Sequence, residues 1–368
     1  MSYLLKDLYT DEFFRTLTGA LSQCVNKFDG PLFQKLIFDK HWKHKELKDR
    51  MRHVAATLYT FLPKKYSEAC RIIIDVIKLL EINERKAPSF LYMFFPDFLE
   101  KYGINHFSVT IKAMEKISPF TSCEFAVRPF LLKYPEQMMA QMIKWSQHKN
   151  EHMRRLSSEG SRPRLPWAMS APFLKINPKS IIPILVNLKS DPSEYVRRSV
   201  ANNLNDISKD HPKFALSIFN DWIGINKNTD QLIKHAARSL LKSGHPKAMN
   251  LFGLKQTINV DVLDFKILTP KLKIGQDLIF SFSVIHTEKK PQLLRLEYAI
   301  YYLRLNGSYS KKVFKLNEKE YFPNHPVEIN KKQSFKLITT KTFYLGAHKI
   351  SLIINGIELN QLEFTLYN

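Results

Sequence analysis

Three stretches of the chain repeat one another. Val196-Arg-Arg-Ser-Val200-Ala-Asn-Asn-Leu204 aligns with Leu232-Ile-Lys-His-Ala236-Ala-Arg-Ser-Leu240 at an offset of 36 residues, and Met153-Arg-Arg-Leu156 falls into register 43 residues earlier. Glu124-Phe-Ala-Val-Arg128, Glu151-His-Met-Arg-Arg155 and Glu194-Tyr-Val-Arg-Arg198 open alike, with Glu first and Arg fifth. A helical unit recurring at this spacing cannot bury its apolar face alone. It must stack on its neighbours, and the product is a curved solenoid of the HEAT or armadillo kind, here expected as a HEAT-like α-α superhelical solenoid.

The helical period covers only part of the chain. Asp11-Glu-Phe-Phe-Arg-Thr-Leu, Leu47-Lys-Asp-Arg-Met-Arg-His-Val and Cys70-Arg-Ile-Ile-Ile-Asp-Val-Ile carry apolar residues three and four apart. From about residue 256 the period becomes two: Leu294, Leu296, Tyr298, Ile300 and Tyr302 alternate, as do Ile350, Leu352 and Ile354, and Leu362, Phe364 and Leu366. Asn306-Gly307 and Asn355-Gly356 separate such runs and predict hairpin turns. About seven short strands are expected, enough for a small all-β immunoglobulin-like sandwich lacking the Cys-Trp-Cys core of antibody domains. The expected organisation is therefore mainly α, with a helical domain over 1–254 and a β-sandwich over 255–368.

Charge narrows the partner. Fifty-six Lys and Arg against 34 Asp and Glu give +22, a field that favours a polyanion, nucleic acid first. Residues 256–368 account for +6 of it and the helical part for +16. No apolar run is long enough to span a membrane, and the N-terminus, Met1-Ser-Tyr-Leu-Leu-Lys-Asp, lacks the pattern of a secretion signal. Cys24, Cys70 and Cys123 are odd in number and widely spaced, as in buried thiols of a reducing compartment. A cytoplasmic, nucleoid-associated protein is expected. His41 and His44 have no third ligand nearby and read as surface residues; Phe94 and Phe95 read as core. No phosphate-binding glycine loop or nucleophile elbow appears, and a nuclease would need a metal cluster that the sequence does not offer.

On a helical wheel, Val196, Val200, Leu204 and Ile207 form one buried face. Arg198, Asn202 and Asn205 lie opposite, with Asp206 at the shoulder. The matching positions are Lys234, Arg238 and Lys242 in the helix from 230, and Arg155 and Glu159 in the helix from 151. Side by side, these stripes make a mainly cationic groove suited to a phosphate backbone. Glu159 and Asp206 interrupt it. Either each pairs with a neighbouring Arg, or a cationic ligand or transition state comes to meet it. Just beyond Glu159, Gly160, Pro163 and Pro166 break the helix and deliver Arg162, Arg164 and Trp167. The indole face attracts cations, although a Trp in such a loop is also an ordinary plug against the solenoid. The loop is expected to bring Trp167 toward Asp206. Arg162 and Arg164 are candidate phosphate contacts. Glu124, in Thr121-Ser-Cys-Glu124, reads as the far member of a capping box.

Ser157-Ser-Glu-Gly-Ser-Arg-Pro-Arg-Leu-Pro-Trp167, followed by Asp191-Pro-Ser-Glu-Tyr-Val-Arg-Arg-Ser-Val-Ala-Asn-Asn-Leu-Asn-Asp206, resembles the HEAT-like-repeat DNA alkylation-repair glycosylases, and within them the AlkC branch, which also carries an immunoglobulin-like domain after its repeats. The resemblance covers the whole chain. It implies a monofunctional N-glycosylase that excises cationic alkylated bases, 3-methyladenine and 3-methylcytosine, from double-stranded DNA, with no metal or organic cofactor. It carries active-site positions onto Glu124, Glu159, Trp167 and Asp206. A monomer is expected, its immunoglobulin-like domain helping to encircle DNA. The competing reading is a non-catalytic HEAT scaffold that binds nucleic acid or an acidic protein.

Overall fold

The computed structural model describes residues 4–82, 87–337 and 341–368; Met1-Ser2-Tyr3, with which the N-terminal reading began, lies outside them. The helices are α1 (Asp11–Cys24), α2 (Gly30–Ile37), α3 (Leu47–Phe61), α4 (Tyr66–Ile82), α5 (Phe94–Tyr102), α6 (Phe107–Ile117), α7 (Val127–Lys133) and α8 (Pro135–Ser146). They continue with α9 (Glu151–Gly160), α10 (Pro172–Ile176), α11 (Ile182–Leu188), α12 (Glu194–Asp210), α13 (Pro212–Trp222), α14 (Lys227–Ala236), α15 (Arg238–Lys242) and α16 (Pro246–Leu251). Eight strands follow: β1 (Val260–Ile267), β2 (Lys271–Lys273), β3 (Asp277–His286), β4 (Gln292–Leu303), β5 (Tyr309–Tyr321), β6 (Val327–Ser334), β7 (Gly346–Ile354) and β8 (Ile357–Tyr367).

The chain forms two compact units. The first holds Met1–His211 with Trp222–Ala236, and the second holds Pro212–Asp221 with Ala237–Asn368. In the first, α9 packs on α12 and α12 on α14, so the three helices that repeat in sequence lie side by side, while α8 backs α9. The apolar face of α12 is the expected one: Val196, Val200, Leu204 and Ile207 are all buried, as are Phe94 and Phe95 of α5. Among the thiols, Cys70 and Cys123 are buried and Cys24 is half-buried. His41 and His44 lie at the surface. No helix among the described residues is long and apolar enough to cross a membrane.

Two expectations change here. The helix expected from 230 to 242 is interrupted at Ala237, so Lys234 belongs to the first unit and Arg238 and Lys242 to the second. Nothing local marks that break, since alanine is the best helix former, and Ala237 itself stays in the helical region at φ −74°, ψ −3°. Asn205, placed on the outward face of α12, is only 1% exposed. A wheel assigns one buried face, whereas α12 is flanked by both α9 and α14.

The strands of the second unit form a three-stranded sheet, β1-β3-β6, and a five-stranded sheet, β2-β8-β7-β4-β5. The alternating residues of β4, β7 and β8 face one core: Leu294, Leu296, Tyr298, Ile300, Tyr302, Ile350, Leu352, Ile354, Phe364 and Leu366 are buried together with Phe280 and Phe335. Both Asn-Gly turns form. Ile354 pairs with Ile357 across Asn355 (φ 45°) and Gly356 (φ 79°), a two-residue loop with both φ positive, the geometry that suits the right-handed twist of the strands. The fold is a helical solenoid followed by an immunoglobulin-like sandwich.

Candidate active site

The site begins where α9 stops. Gly160 must be small: a Cβ there would stand 2.6 Å from Val127 Cγ2 and 2.8 Å from Met142 Cε. That close approach seats the end of α9 against α7 and α8. From Gly160 the chain leaves the helix, and one buried side chain organises its path. Arg128 of α7, 1% exposed, donates from Nε to the Met169 carbonyl (2.8 Å) and from a terminal nitrogen to the carbonyls of Gly160 (2.9 Å) and Arg162 (3.0 Å). It thereby clamps both ends of the 160–169 loop. Burial pulls the Arg128 guanidinium down to about 10, so it is still a cation at neutral pH.

The candidate carboxylates lie along one chain of ion pairs. Arg162, only 8% exposed, donates from Nε to Asp206 Oδ2 (2.8 Å) and from a terminal nitrogen to Glu159 Oε1 (2.7 Å). Ser199 Oγ donates to the other Glu159 oxygen at 2.7 Å. Arg155 approaches Glu159 Oε1 at 3.6 Å and pairs with Glu124, whose Oε2 also accepts from Ser122 Oγ at 2.9 Å. At the far end, Lys209 Nζ donates to Asp206 Oδ1 at 3.1 Å. The order is Glu124, Arg155, Glu159, Arg162, Asp206, Lys209, with the sign alternating. Burial pulls the Arg162 guanidinium down, but Glu159 and Asp206 more than offset this and its pKa ends above the ordinary value. Arg155 behaves the same way between Glu124 and Glu159.

Thus Glu124, Glu159 and Asp206 are brought into one network, and of the two sequence readings for the carboxylates the structure realises the Arg pairing. Glu124 is not part of a capping box. It lies in a turn ahead of α7, whose N-cap is Ala126, and its carboxylate is taken by Arg155. Arg155 and Arg162 are correspondingly not surface cations; their guanidiniums are spent on carboxylates inside the fold. Arg164 is exposed and grips Asp210 with two bonds of 2.9 and 2.6 Å. Arg198 and Lys234 on the first unit and Lys242 on the second are exposed. Asn202 is half-buried beside His235 at 3.3 Å, and Arg238 is half-buried.

Trp167 is no plug, because it is 65% exposed. Its backbone is left-handed at φ 65°, a region that costs a bulky residue about 1–3 kcal/mol and persists only where surroundings impose it. Arg162–Asp206 and Arg164–Asp210 tie the preceding loop to α12. Two residues central to this arrangement escaped sequence reasoning. Arg128 left a trace, occupying the same register position as Arg155 and Arg198. Lys48, which donates to the Trp167 carbonyl at 2.7 Å, left none.

The fold defines the class: a HEAT-repeat solenoid followed by an immunoglobulin-like sandwich, carrying an Arg-bridged carboxylate network and, five residues after Arg162, an exposed Trp. The comparisons agree. The HEAT repeat model matches residues 181–211, and the model for "Uncharacterised protein YhaZ, C-terminal Ig-like domain" matches 261–368. A Bacillus subtilis (strain 168) relative, "Uncharacterized protein YhaZ", is 42% identical over 363 residues, 98% of each chain. The solved structure of Pseudomonas fluorescens alkylpurine DNA glycosylase AlkC, bound to DNA containing an abasic site analog, is 32% identical and superposes over all of both chains with a TM-score of 0.93. The chain belongs to the AlkC branch of the HEAT-like-repeat DNA glycosylases.

Proposed function

We propose that this chain is a monofunctional N-glycosylase of base-excision repair, hydrolysing the N-glycosidic bond of 3-methyladenine and 3-methylcytosine in duplex DNA. The observation that carries the reading is Asp206: a carboxylate 1% exposed, in a chain of +22, held on one oxygen by a guanidinium that Glu159 holds in turn. Such fixed charge is the usual source of electrostatic catalysis. The relative's structure with DNA containing an abasic site analog supports DNA as the substrate, and a nucleoid-associated location goes with that reading.

The chemistry asks for an anion. An alkylated base is already cationic and leaves readily, and the sugar it leaves passes through an oxocarbenium-like state that a carboxylate stabilises. Arg162 fixes Oδ2 of Asp206, so Oδ1 is the oxygen for the sugar or the attacking water, in the place where the ammonium of Lys209 now stands. Both oxygens of Glu159 are engaged, so it acts chiefly by holding Arg162, and Glu124 supports it through Arg155. Trp167 presents a π-face to the cationic lesion or deoxyribose. Arg164, Arg198, Asn202, Lys234, Arg238 and Lys242 are the proposed contacts to the DNA backbone.

The test is incubation of the purified chain with methylated duplex DNA and chromatography of the free bases. Release of 3-methyladenine and 3-methylcytosine is expected, falling by about 10²–10³-fold in Asp206→Asn, the range typical of losing one electrostatic stabiliser, with DNA affinity retained. No release above background overturns the reading. A non-catalytic scaffold would leave wild type and variant indistinguishable.

A further inference from the structure

We propose that Lys48 is a positioning residue that reaches from α3 to hold the peptide of Trp167, and so sets where the indole stands. The geometric part rests on the structure of the loop; its effect on base release rests on the glycosylase reading above.

A left-handed tryptophan has to be held by something. Arg128 fixes the carbonyls on either side of the 160–169 loop, Arg164 ties it to Asp210, and Leu165 is buried at 7% exposed. Trp167 is itself the third residue of a turn closed by Ala168 N–H donating to the Leu165 carbonyl at 3.4 Å, with Pro166 second, a position where a positive φ is usual; that bond leaves the Trp167 carbonyl open to another donor. The Trp167 side chain is 65% exposed, so packing does little to choose its backbone conformation. The direction of the Trp167 carbonyl reports its ψ angle, and that carbonyl receives the ammonium of Lys48 at 2.7 Å. A charge-assisted bond of this kind is roughly twice as strong as a neutral one.

Lys48 is itself held. Its ammonium lies 5.1 Å from the centre of the Phe125 ring, next in sequence to Glu124. It lines a small cavity with Asp97 and Glu100 of α5, and those two carboxylates are bridged by Arg52 at 3.5 and 3.3 Å. Burial pushes both carboxyls up, and Lys48 is among the cations that pull them back. The ammonium thus donates to one carbonyl beside an aromatic face, in a cavity that Asp97 and Glu100 also line. This gives the early helices α3 and α5, which contain none of the proposed catalytic residues, a part in the site.

The experiment measures single-turnover base release and DNA affinity for wild type, Lys48→Met, Lys48→Arg, Trp167→Ala and the double variant Lys48→Met/Trp167→Ala. A small misplacement of a positioned group costs up to about 10²-fold in rate; a loss of about tenfold is expected for Lys48→Met, with DNA affinity unchanged and with most of the rate restored in Lys48→Arg. In the Trp167→Ala background, Lys48→Met should add nothing, because the residue acts through Trp167. An unchanged rate in Lys48→Met, or a loss that adds to that of Trp167→Ala, overturns the proposal. So does weaker DNA binding with a salt dependence reduced by about one phosphate, the mark of a backbone contact. If wild type releases no base, the glycosylase reading fails, and the geometry is read separately. Acrylamide quenching of Trp167, taken as wild type minus Trp167→Phe, should change in Lys48→Met; unchanged quenching overturns the proposal.

Discussion

Arg162→Met tests the ion-pair network directly. The substitution removes the 2.8 Å partner of Asp206 and the 2.7 Å partner of Glu159, leaving two carboxylates that are 1% and 5% exposed. Removing one partner of a buried pair costs about 3–5 kcal/mol, because the remaining charge stays buried. Three contacts soften this: Lys209 remains 3.1 Å from Asp206, and Ser199 and Arg155 remain on Glu159. The low end, about 3 kcal/mol, is therefore expected. For a unit of this size, 1 kcal/mol moves the unfolding midpoint by about 2–4 °C, so calorimetry at pH 7 should show a fall of about 6–12 °C. Arg162→Lys should fall between, since one ammonium cannot reproduce two donors on separate nitrogens. The triple variant Arg162→Met/Glu159→Gln/Asp206→Asn should recover most of the loss, as no charge is left buried. A fall below about 2 °C in Arg162→Met, or no recovery in the triple variant, would refute the reasoning.

Two further outcomes are expected in the second unit. Gly356→Ala should destabilise it by about 2 kcal/mol or more, because φ is +79° and the new Cβ would stand 2.4 Å from Gly244 Cα; a denaturant midpoint equal to wild type would contradict this. Lys341 has its ammonium against the Tyr302 ring and, through burial, its pKa is pulled down to about 8. A lowered lysine pKa penalises the folded state at neutral pH, and the penalty is relieved as pH rises from about 8 toward the ordinary lysine value of 10.5. Wild type should therefore gain stability over that window relative to Lys341→Met. Parallel pH profiles of the two would show that Lys341 carries no such penalty.

The site was legible wherever its information is local. Glu159, Gly160, Pro163, Pro166 and Trp167 lie within nine residues, and a helix break followed by an indole is visible in a string of letters. Asp206 could be found because repeats place it in register. What the acids are bonded to could not be read. Arg162 was open to being a phosphate contact until the fold set it between Glu159 and Asp206, and Glu124 resembled a cap until the helix began three residues later.

Hydrophobic period together with the 36- and 43-residue repeat spacing determined that this chain is a solenoid followed by a β-sandwich, because periods of 3.6 and two each demand a particular buried face and a repeated helical unit must stack on its neighbours. Turn chemistry likewise determined the Asn355-Gly356 hairpin, since few residues tolerate two successive positive φ values. Only the tertiary structure decided the rest. The burial of Asn205, the clamp of Arg128 on three carbonyls and the bond from Lys48 to a residue 119 positions away depend on which surfaces meet. Contacts of that range carry no sequence period, and a charged side chain takes its partner from its surroundings.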